Sequence, residues 1–187
     1  MAQLKLILLD FDGTLANTRI ANARAYIAAL GERGIALNEE EYYAKHFGMR
    51  CMEFLASLGI TDKEMAKSIR QRKVELYPNY FESITLNRPL WEWCQKMRKG
   101  GVKVWIVSTG HIDNICNVMR FLHIEDGVDG ILSGDDIEHP KPAPDCFLKA
   151  MHIVSATPAE SIIFEDSPMG IAAAKSSGAH YAIVKLD

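Results

Sequence analysis

The sequence has no Cys-x-x-Cys pair, no cysteine and histidine at zinc-finger spacing, no apolar run long enough to span a bilayer and no block of basic residues. Each absence excludes a class of protein. Cys51, Cys94, Cys116 and Cys146 stand far apart among apolar neighbours, which reads as free buried thiols in a reducing compartment and not as a disulfide frame or a zinc site. Without an apolar stretch of about 20 residues, no membrane-spanning helix is expected. The net charge is −3 and the lysines are scattered, so neither nucleic acid nor an anionic membrane has an electrostatic claim as a partner. Met1-Ala2-Gln3-Leu4-Lys5 leads into an apolar stretch without a basic segment, a long apolar core or a cleavage site, so a cytoplasmic protein is expected. Nothing in the sequence demands more than a monomer.

What is present is organised around Leu6-Ile7-Leu8-Leu9-Asp10-Phe11-Asp12-Gly13-Thr14. An unbroken apolar run ending in two carboxylates reads as a buried parallel strand whose carboxyl end opens into a site. If the chain is still extended there, Asp10 and Asp12 project to the same side. Two anions held that close favour a cation beside them, and a hard ion taking oxygen ligands, Mg²⁺, is the natural guest. Gly13-Thr14 supplies the exit turn, with glycine where the backbone bends sharply or approaches a ligand closely.

The 187 residues, 48% hydrophobic and 24% charged, suffice for a core domain carrying a smaller inserted one. Helical periodicity follows Thr14. Helices are expected from Asn17 to Arg33, from Glu39 to Phe47, from Cys51 to Leu58, and from a capping-box-like Thr61-Asp62-Lys63-Glu64 to about Tyr77, where Pro78 closes the last of them. No strand is expected across 17–80. From Pro89 onward helix and strand alternate: helices at 90–99, 112–123, 144–153 and 170–177, strands at 102–107, 130–133, 161–164 and 181–184. Repeated βα units mean a parallel sheet with helices on both faces. The expected fold is therefore α/β, a Rossmann-like parallel five-stranded sheet (1–16 and 84–187) with a four-helix insertion (17–83).

Parallel strands bring their carboxyl ends to one edge. The first delivers Asp10 and Asp12; the second delivers Ser108 and the N–H groups of Thr109 and Gly110 at a helix start suited to an anion. Lys141, in Lys141-Pro142-Ala143-Pro144-Asp145, follows the third strand, and Glu165 with Asp166 ends the fourth. Carboxylates alone would repel a phosphate. A metal ion reverses the local sign, and Lys141 with Ser108 then holds the remaining phosphoryl oxygens, a set suited to phosphoryl transfer.

In these motifs, together with Phe164-Glu165-Asp166-Ser167-Pro168-Met169-Gly170-Ile171-Ala172-Ala173-Ala174, the sequence resembles the haloacid dehalogenase-like hydrolase superfamily. The nearest branch is that of β-phosphoglucomutase and small sugar-phosphate phosphatases, and the insertion sits where that branch carries its helical cap domain. The resemblance implies that Asp10 is the nucleophile forming an aspartyl-phosphate and that Asp12 is the acid and base. It implies that Mg²⁺ is held by Asp10, the Asp12 carbonyl and Asp166, with Glu165 acting through water. Lys141 would steady Asp10 and the transferred group, and Ser108 would hydrogen-bond a phosphoryl oxygen.

Within that superfamily Asp12 favours phosphate-ester chemistry over dehalogenation or phosphonate cleavage. Asn22 stands where the mutases carry a cap histidine and Asn17 where they usually carry an acid, so a phosphatase acting on a small phosphorylated metabolite is expected ahead of a phosphomutase. The loop Lys45-His46-Phe47-Gly48-Met49-Arg50 corresponds to the family's specificity loop, with Gly48 at its turn and His46 or Arg50 placed to meet the substrate. A non-catalytic phospho-acceptor or binding protein is the alternative of another class. A receiver-type domain shares the parallel sheet, Asp, Mg²⁺, hydroxyl and Lys, but it lacks the helical insertion.

Overall fold

The structure, a computed structural model, describes residues 3–186. The reading of the amino terminus begins at Met1 and Ala2, which with Asp187 lie outside the described residues. The chain divides into two compact units, one running to Asn17 and resuming at Leu86, the other Thr18–Thr85.

In chain order the elements are β1 (Leu6–Leu9), β2 (Ala16–Asn17), α1 (Arg19–Gly31), α2 (Glu39–Lys45), α3 (Cys51–Ser57), α4 (Lys63–Leu76) and β3 (Thr85–Leu86). They continue with α5 (Arg88–Lys99), β4 (Lys103–Val107), α6 (Ile112–Leu122), β5 (Gly130–Leu132), α7 (Asp145–Val154), β6 (Ser161–Glu165), α8 (Pro168–Ser177) and β7 (His180–Ile183). The main sheet has five strands in the order β5-β4-β1-β6-β7, and every neighbouring pair is parallel. The α/β class and the five parallel strands are those expected from the periodicity.

β1 is central and buried on both faces, which is why its sequence is continuous Leu and Ile without alternation. Leu6 and Leu8 pack with Val107, Leu132 and Ile163 against Phe147, Ala150 and Met151 of α7 and Ala173 and Ala174 of α8. The opposite face, Ile7, Leu9, Val104 and Ile106, is equally buried, with α5 against β4.

Strands β2 and β3 were not expected; they form a separate two-stranded sheet. Two residues carry no periodicity, so no pattern in the sequence could announce them. In the helical unit, Asp62 and not Thr61 caps α4, accepting from the Met65 N–H at 2.7 Å. Past α4, a 3₁₀ stretch, Tyr77–Ser83, begins with Pro78 in its first turn and prolongs the helical run that Pro78 was expected to close. Tyr26 and Tyr42 enclose the fully buried Phe54 edge-on, at centroid distances of 4.8 and 5.6 Å. Such aromatic pairs hold a small helical core by large apolar area and favourable ring geometry together.

Of the four cysteines, Cys94 and Cys146 are buried, whereas Cys51 and Cys116 are partly exposed; all four are free. Burial pushes the Cys94 thiol up to about 12, and burial likewise takes Cys146 to about 11. Neither is set up as a nucleophile. Among the described residues no helix is long and apolar enough to cross a membrane.

Candidate active site

The sheet ladder extends one residue beyond β1 and β4, through Asp10 N–H to the Phe164 carbonyl (3.0 Å) and Ser108 N–H to the Leu132 carbonyl (2.9 Å). Both side chains are thereby fixed at the carboxyl edge. Lys141 reaches this edge from the segment after β5, fully enclosed. Its ammonium donates to Asp10 Oδ1 at 2.6 Å, Glu165 Oε1 at 2.6 Å and the Val107 carbonyl at 3.0 Å, which uses all three of its donors. Burial opposes the charge on Lys141, but Asp10 and Glu165 more than reverse that and raise its pKa, so the amine is an ammonium.

Asp10, Glu165 and Asp166 each bring a carboxylate oxygen within 4.8 Å of the others. Burial first, then the charges of Glu165 and Asp166, push the Asp10 carboxyl well above the usual range, against the pull of Lys141. Burial raises Asp166 to about 6, with Glu165 adding to the rise and a hydrogen bond from Thr14 Oγ1 (2.9 Å) resisting it. Three carboxylates face one ammonium. The donor set is all oxygen and carries excess negative charge, which fits a hard divalent cation and offers no soft ligand to any other. Gly13, at φ +94°, leads the turn past Asp166 so closely that a Cβ there would overlap the Asp166 carboxylate. The glycine is thus required by both conformation and space.

Glu165 lies in this carboxylate group and is also tied into the chain around it. Its carboxylate is fully buried, and Oε2 accepts from Asp166 N–H (2.9 Å), Ser167 N–H (3.0 Å) and Ser167 Oγ (3.1 Å) while Oε1 takes Lys141. Both oxygens are committed to the lysine and to the loop that follows β6.

The loop after β4 holds itself together. The Gly110 N–H donates to Ser108 Oγ at 3.0 Å, so the Ser108 hydroxyl accepts from its own loop and directs its hydrogen elsewhere. α6 begins two residues beyond Gly110, and its first N–H groups are taken: Ile112 N–H by Asp135 Oδ2 (3.2 Å) and Asp113 N–H by His111 Nδ1 (3.3 Å). Asp12 Oδ2 and Ser108 Oγ lie 3.4 and 3.2 Å from the point where a Gly110 Cβ would stand, so both side chains converge on this glycine.

A family model described as haloacid dehalogenase-like hydrolase matches residues 7–184. The chain belongs to this family. Among its relatives, Pyrophosphatase PpaX of Bacillus cereus (strain ATCC 10987 / NRS 248) is 24% identical over 191 residues, covering 97% of this chain and 83% of the relative. Protein CbbY of Rhodobacter capsulatus is 28% identical over 196 residues, 94% of this chain and 83% of the relative. Among solved structures, CbbY from Rhodobacter sphaeroides in complex with phosphate superposes with a TM-score of 0.88 at 24% identity, over 99% of this chain and 88% of that one. A mutant of that protein in complex with xylulose-(1,5)bisphosphate gives the same TM-score, 0.88, at 23% identity, covering 99% and 88%.

In this hydrolase, Asp10, Lys141, Glu165 and Asp166 form one cluster, and Asp12, Ser108 and Gly110 a neighbouring group in the same unit. Thr109 lies between Ser108 and Gly110 in the loop just described. His46, Gly48 and Arg50 belong to the helical unit. There His46 is buried, its ring 5.0 Å from that of Phe54 and its Nδ1 3.3 Å from Ser57 Oγ. Gly48 turns the chain between α2 and α3 at φ +84°, and Arg50 precedes α3, half-buried. Asn22 is engaged on both sides, donating to Thr18 Oγ1 (3.1 Å) and accepting from the buried Lys73 (2.8 Å).

Three site-building residues escaped the sequence. Thr14 holds Asp166, and its place at the end of the first motif was a signal. Asn87 donates to the Thr14 carbonyl (3.0 Å) and through its own N–H to the Leu15 carbonyl (2.8 Å) while capping α5; only the helix-start pattern before Pro89 marked it. Gly134 donates to the Gly110 carbonyl at 2.9 Å, and a Cβ there would overlap the Thr109 carbonyl, a proximity no local pattern reveals.

Proposed function

We propose that this protein is a Mg²⁺-dependent phosphatase that hydrolyses a small phosphomonoester, a sugar phosphate by class, through an aspartyl-phosphate on Asp10. The observation carrying this reading is a carboxylate at a strand end, gripped by a buried ammonium and grouped with Asp166 and Glu165. The xylulose-(1,5)bisphosphate complex of one similar structure supports a sugar phosphate as the substrate class, and a relative named as a pyrophosphatase supports phosphoryl hydrolysis more generally.

In this mechanism an Asp10 oxygen attacks phosphorus while Asp12 gives its proton to the departing ester oxygen; water then attacks the phosphoryl-aspartate, Asp12 takes a proton back, and phosphate leaves with Asp10 restored. Lys141 orients Asp10 and neutralises the transferring oxygens. The Ser108 hydroxyl and the Thr109 amide hold the phosphoryl group. Asp10, the Asp12 carbonyl and Asp166 would hold the cation, which when bound neutralises charge on the phosphoryl oxygens and lets an anionic nucleophile approach an anionic ester. Glu165 supports this set through Lys141 and the Asp166 backbone. Asn22, tied to Thr18 and Lys73, offers no acid or base of the mutase kind, so water is the proposed acceptor.

Phosphate release from a panel of sugar phosphates, with Mg²⁺ and in excess chelator, tests the reading. Activity should require the metal and vanish in Asp10→Asn, a nearly isosteric change. Full activity in chelator, or more than about a tenth of wild-type turnover in the variant with deamidation excluded, would refute it.

A further inference from the structure

The first turn of α8 carries a residue that local physics disfavours. Gly170 sits in the first turn ahead of Ile-Ala-Ala-Ala, with helical backbone, so no left-handed conformation calls for glycine. Glycine in a helix is disfavoured against alanine, because it loses more conformational freedom on folding. Space accounts for it: a Cβ at this position would overlap both oxygens and the carboxyl carbon of Glu165. That carboxylate cannot step aside freely. It is fully buried and is pinned by Lys141, by the N–H groups of Asp166 and Ser167 and by Ser167 Oγ, at 2.6 to 3.1 Å. Ser167 also caps the helix by accepting from the Gly170 N–H at 3.0 Å, which closes a small ring of contacts between residues 165 and 170.

We infer that Gly170 is a positioning residue: its missing side chain is the space that seats the Glu165 carboxylate, and through Glu165 it fixes both the Lys141 ammonium and the backbone carrying Asp166. An alanine methyl there would expel the carboxylate, so that Lys141 loses one of its two anions and the amides of Asp166 and Ser167 lose their acceptor. Lys141 would then be steadied by Asp10 and the Val107 carbonyl alone, and Asp166 would no longer be held on its backbone side. Gly170 touches neither substrate nor cation. Its effect on turnover rests on the phosphatase reading above; its effect on the carboxylate does not.

The test is Gly170→Ala, examined first by amide hydrogen exchange on metal-free protein with unchanged far-UV circular dichroism. Exchange at Asp166 and Ser167 should quicken by at least about tenfold while the β1 and β4 amides keep their protection. Turnover of a sugar phosphate should fall by about tenfold or more with KM within about threefold, the pattern of a displaced catalytic group and not of lost binding. Glu165→Asp, which draws the carboxyl back by one methylene, should restore part of the activity when combined with Gly170→Ala. Should the single variant fail to fold, Gly170→Ala added to Glu165→Ala, where no carboxylate remains to clash, should cost no stability beyond that of Glu165→Ala alone. Unchanged exchange at Asp166 and Ser167, wild-type turnover in Gly170→Ala, or a Gly170→Ala change that destabilises Glu165→Ala as much as it does the wild type would each overturn the inference. If the wild-type protein releases no phosphate from any substrate, the phosphatase reading fails, and the exchange rates still decide the role of Gly170.

Discussion

Replacing Lys141 by Met removes the one ammonium that faces Asp10 and Glu165 and keeps the length of the side chain. Each carboxylate lies 2.6 Å from that nitrogen, and side-chain exposure is 4% for Lys141, 10% for Asp10 and 0% for Glu165. Without it, two enclosed carboxylates stand together and one must take a proton. Holding a carboxyl of ordinary pKa, about 4, neutral at pH 7 spans roughly three units at 1.36 kcal/mol each, or about 4 kcal/mol. Breaking a buried ion pair from one side costs about 3–5 kcal/mol, the same order. At about 2–4 °C per kcal/mol for a chain of this size, Tm should fall by roughly 8–16 °C at pH 7. The pH dependence has a definite sign. Asp10 is already raised by burial against the pull of Lys141, so in the variant its folded pKa lies still further above the unfolded one. Stability is then fully present below about pH 4 and lost as pH rises through the folded value. Thermal melts in chelator at pH 7 and pH 4 should therefore show a wide gap between variant and wild type that narrows on acidification. A Tm within about 3 °C of wild type at pH 7, or a gap that does not narrow, would refute the assignment of Lys141 as the counter-charge.

Asp166→Asn should act in the opposite direction. Burial raises Asp166 to about 6, so its ionisation weakens the metal-free fold as pH rises through that value, and the variant should gain up to about 2–3 kcal/mol at pH 7.5 in chelator while losing Mg²⁺-dependent turnover; no gain in Tm would count against it. Gly134→Ala should push on the Thr109 carbonyl and shift the anion loop, weakening inhibition by inorganic phosphate by about tenfold, and an unchanged inhibition constant would show that the loop tolerates the methyl. Arg50→Ala should alter relative kcat/KM among sugar phosphates by up to about 3 kcal/mol and leave acetyl phosphate unaffected. Equal slowing of every substrate would end its role in selectivity.

Asp10 and Ser108, two of the residues that sequence reasoning placed at the sheet edge, share one property: each follows a strand whose apolar run stops abruptly. Asp10 after Leu6–Leu9 and Ser108 after Lys103–Val107 are legible because burial on both faces writes itself as continuous hydrophobicity, and the first polar residue marks where the sheet ends. What the sequence hides is which partner each polar group has chosen. Glu165 looks like a cation ligand beside Asp166 and lies in that carboxylate group, but the sequence does not show that its oxygens also take Lys141 and the two residues after it, in the room Gly170 leaves. The start of α6 looks open to an anion until Asp135, 23 residues on, takes the Ile112 N–H. His46 reads as a substrate contact in a loop, and the sequence does not show that it is buried in the helical unit with its ring 5.0 Å from that of Phe54. These are choices among competing partners at hydrogen-bond range, settled by tertiary packing and not by local pattern.

The two charge substitutions have opposite signs for a reason that bears on function. With three carboxylates to one buried ammonium, the metal-free site holds uncompensated negative charge in a low-dielectric setting, and both Asp10 and Asp166 register it as raised pKa values. Removing the cationic partner deepens that imbalance, and removing an anion relieves it. A fold selected for stability alone would not keep such a cluster at its central strand. On the proposed reading, this excess of charge is what draws in a divalent cation, since binding it releases the repulsion stored among the carboxylates, and only with the cation in place would the site accept a phosphoryl dianion beside an aspartate. Saturating Mg²⁺ should therefore raise the wild-type Tm and raise that of Asp166→Asn much less, since only the wild type has this repulsion to release.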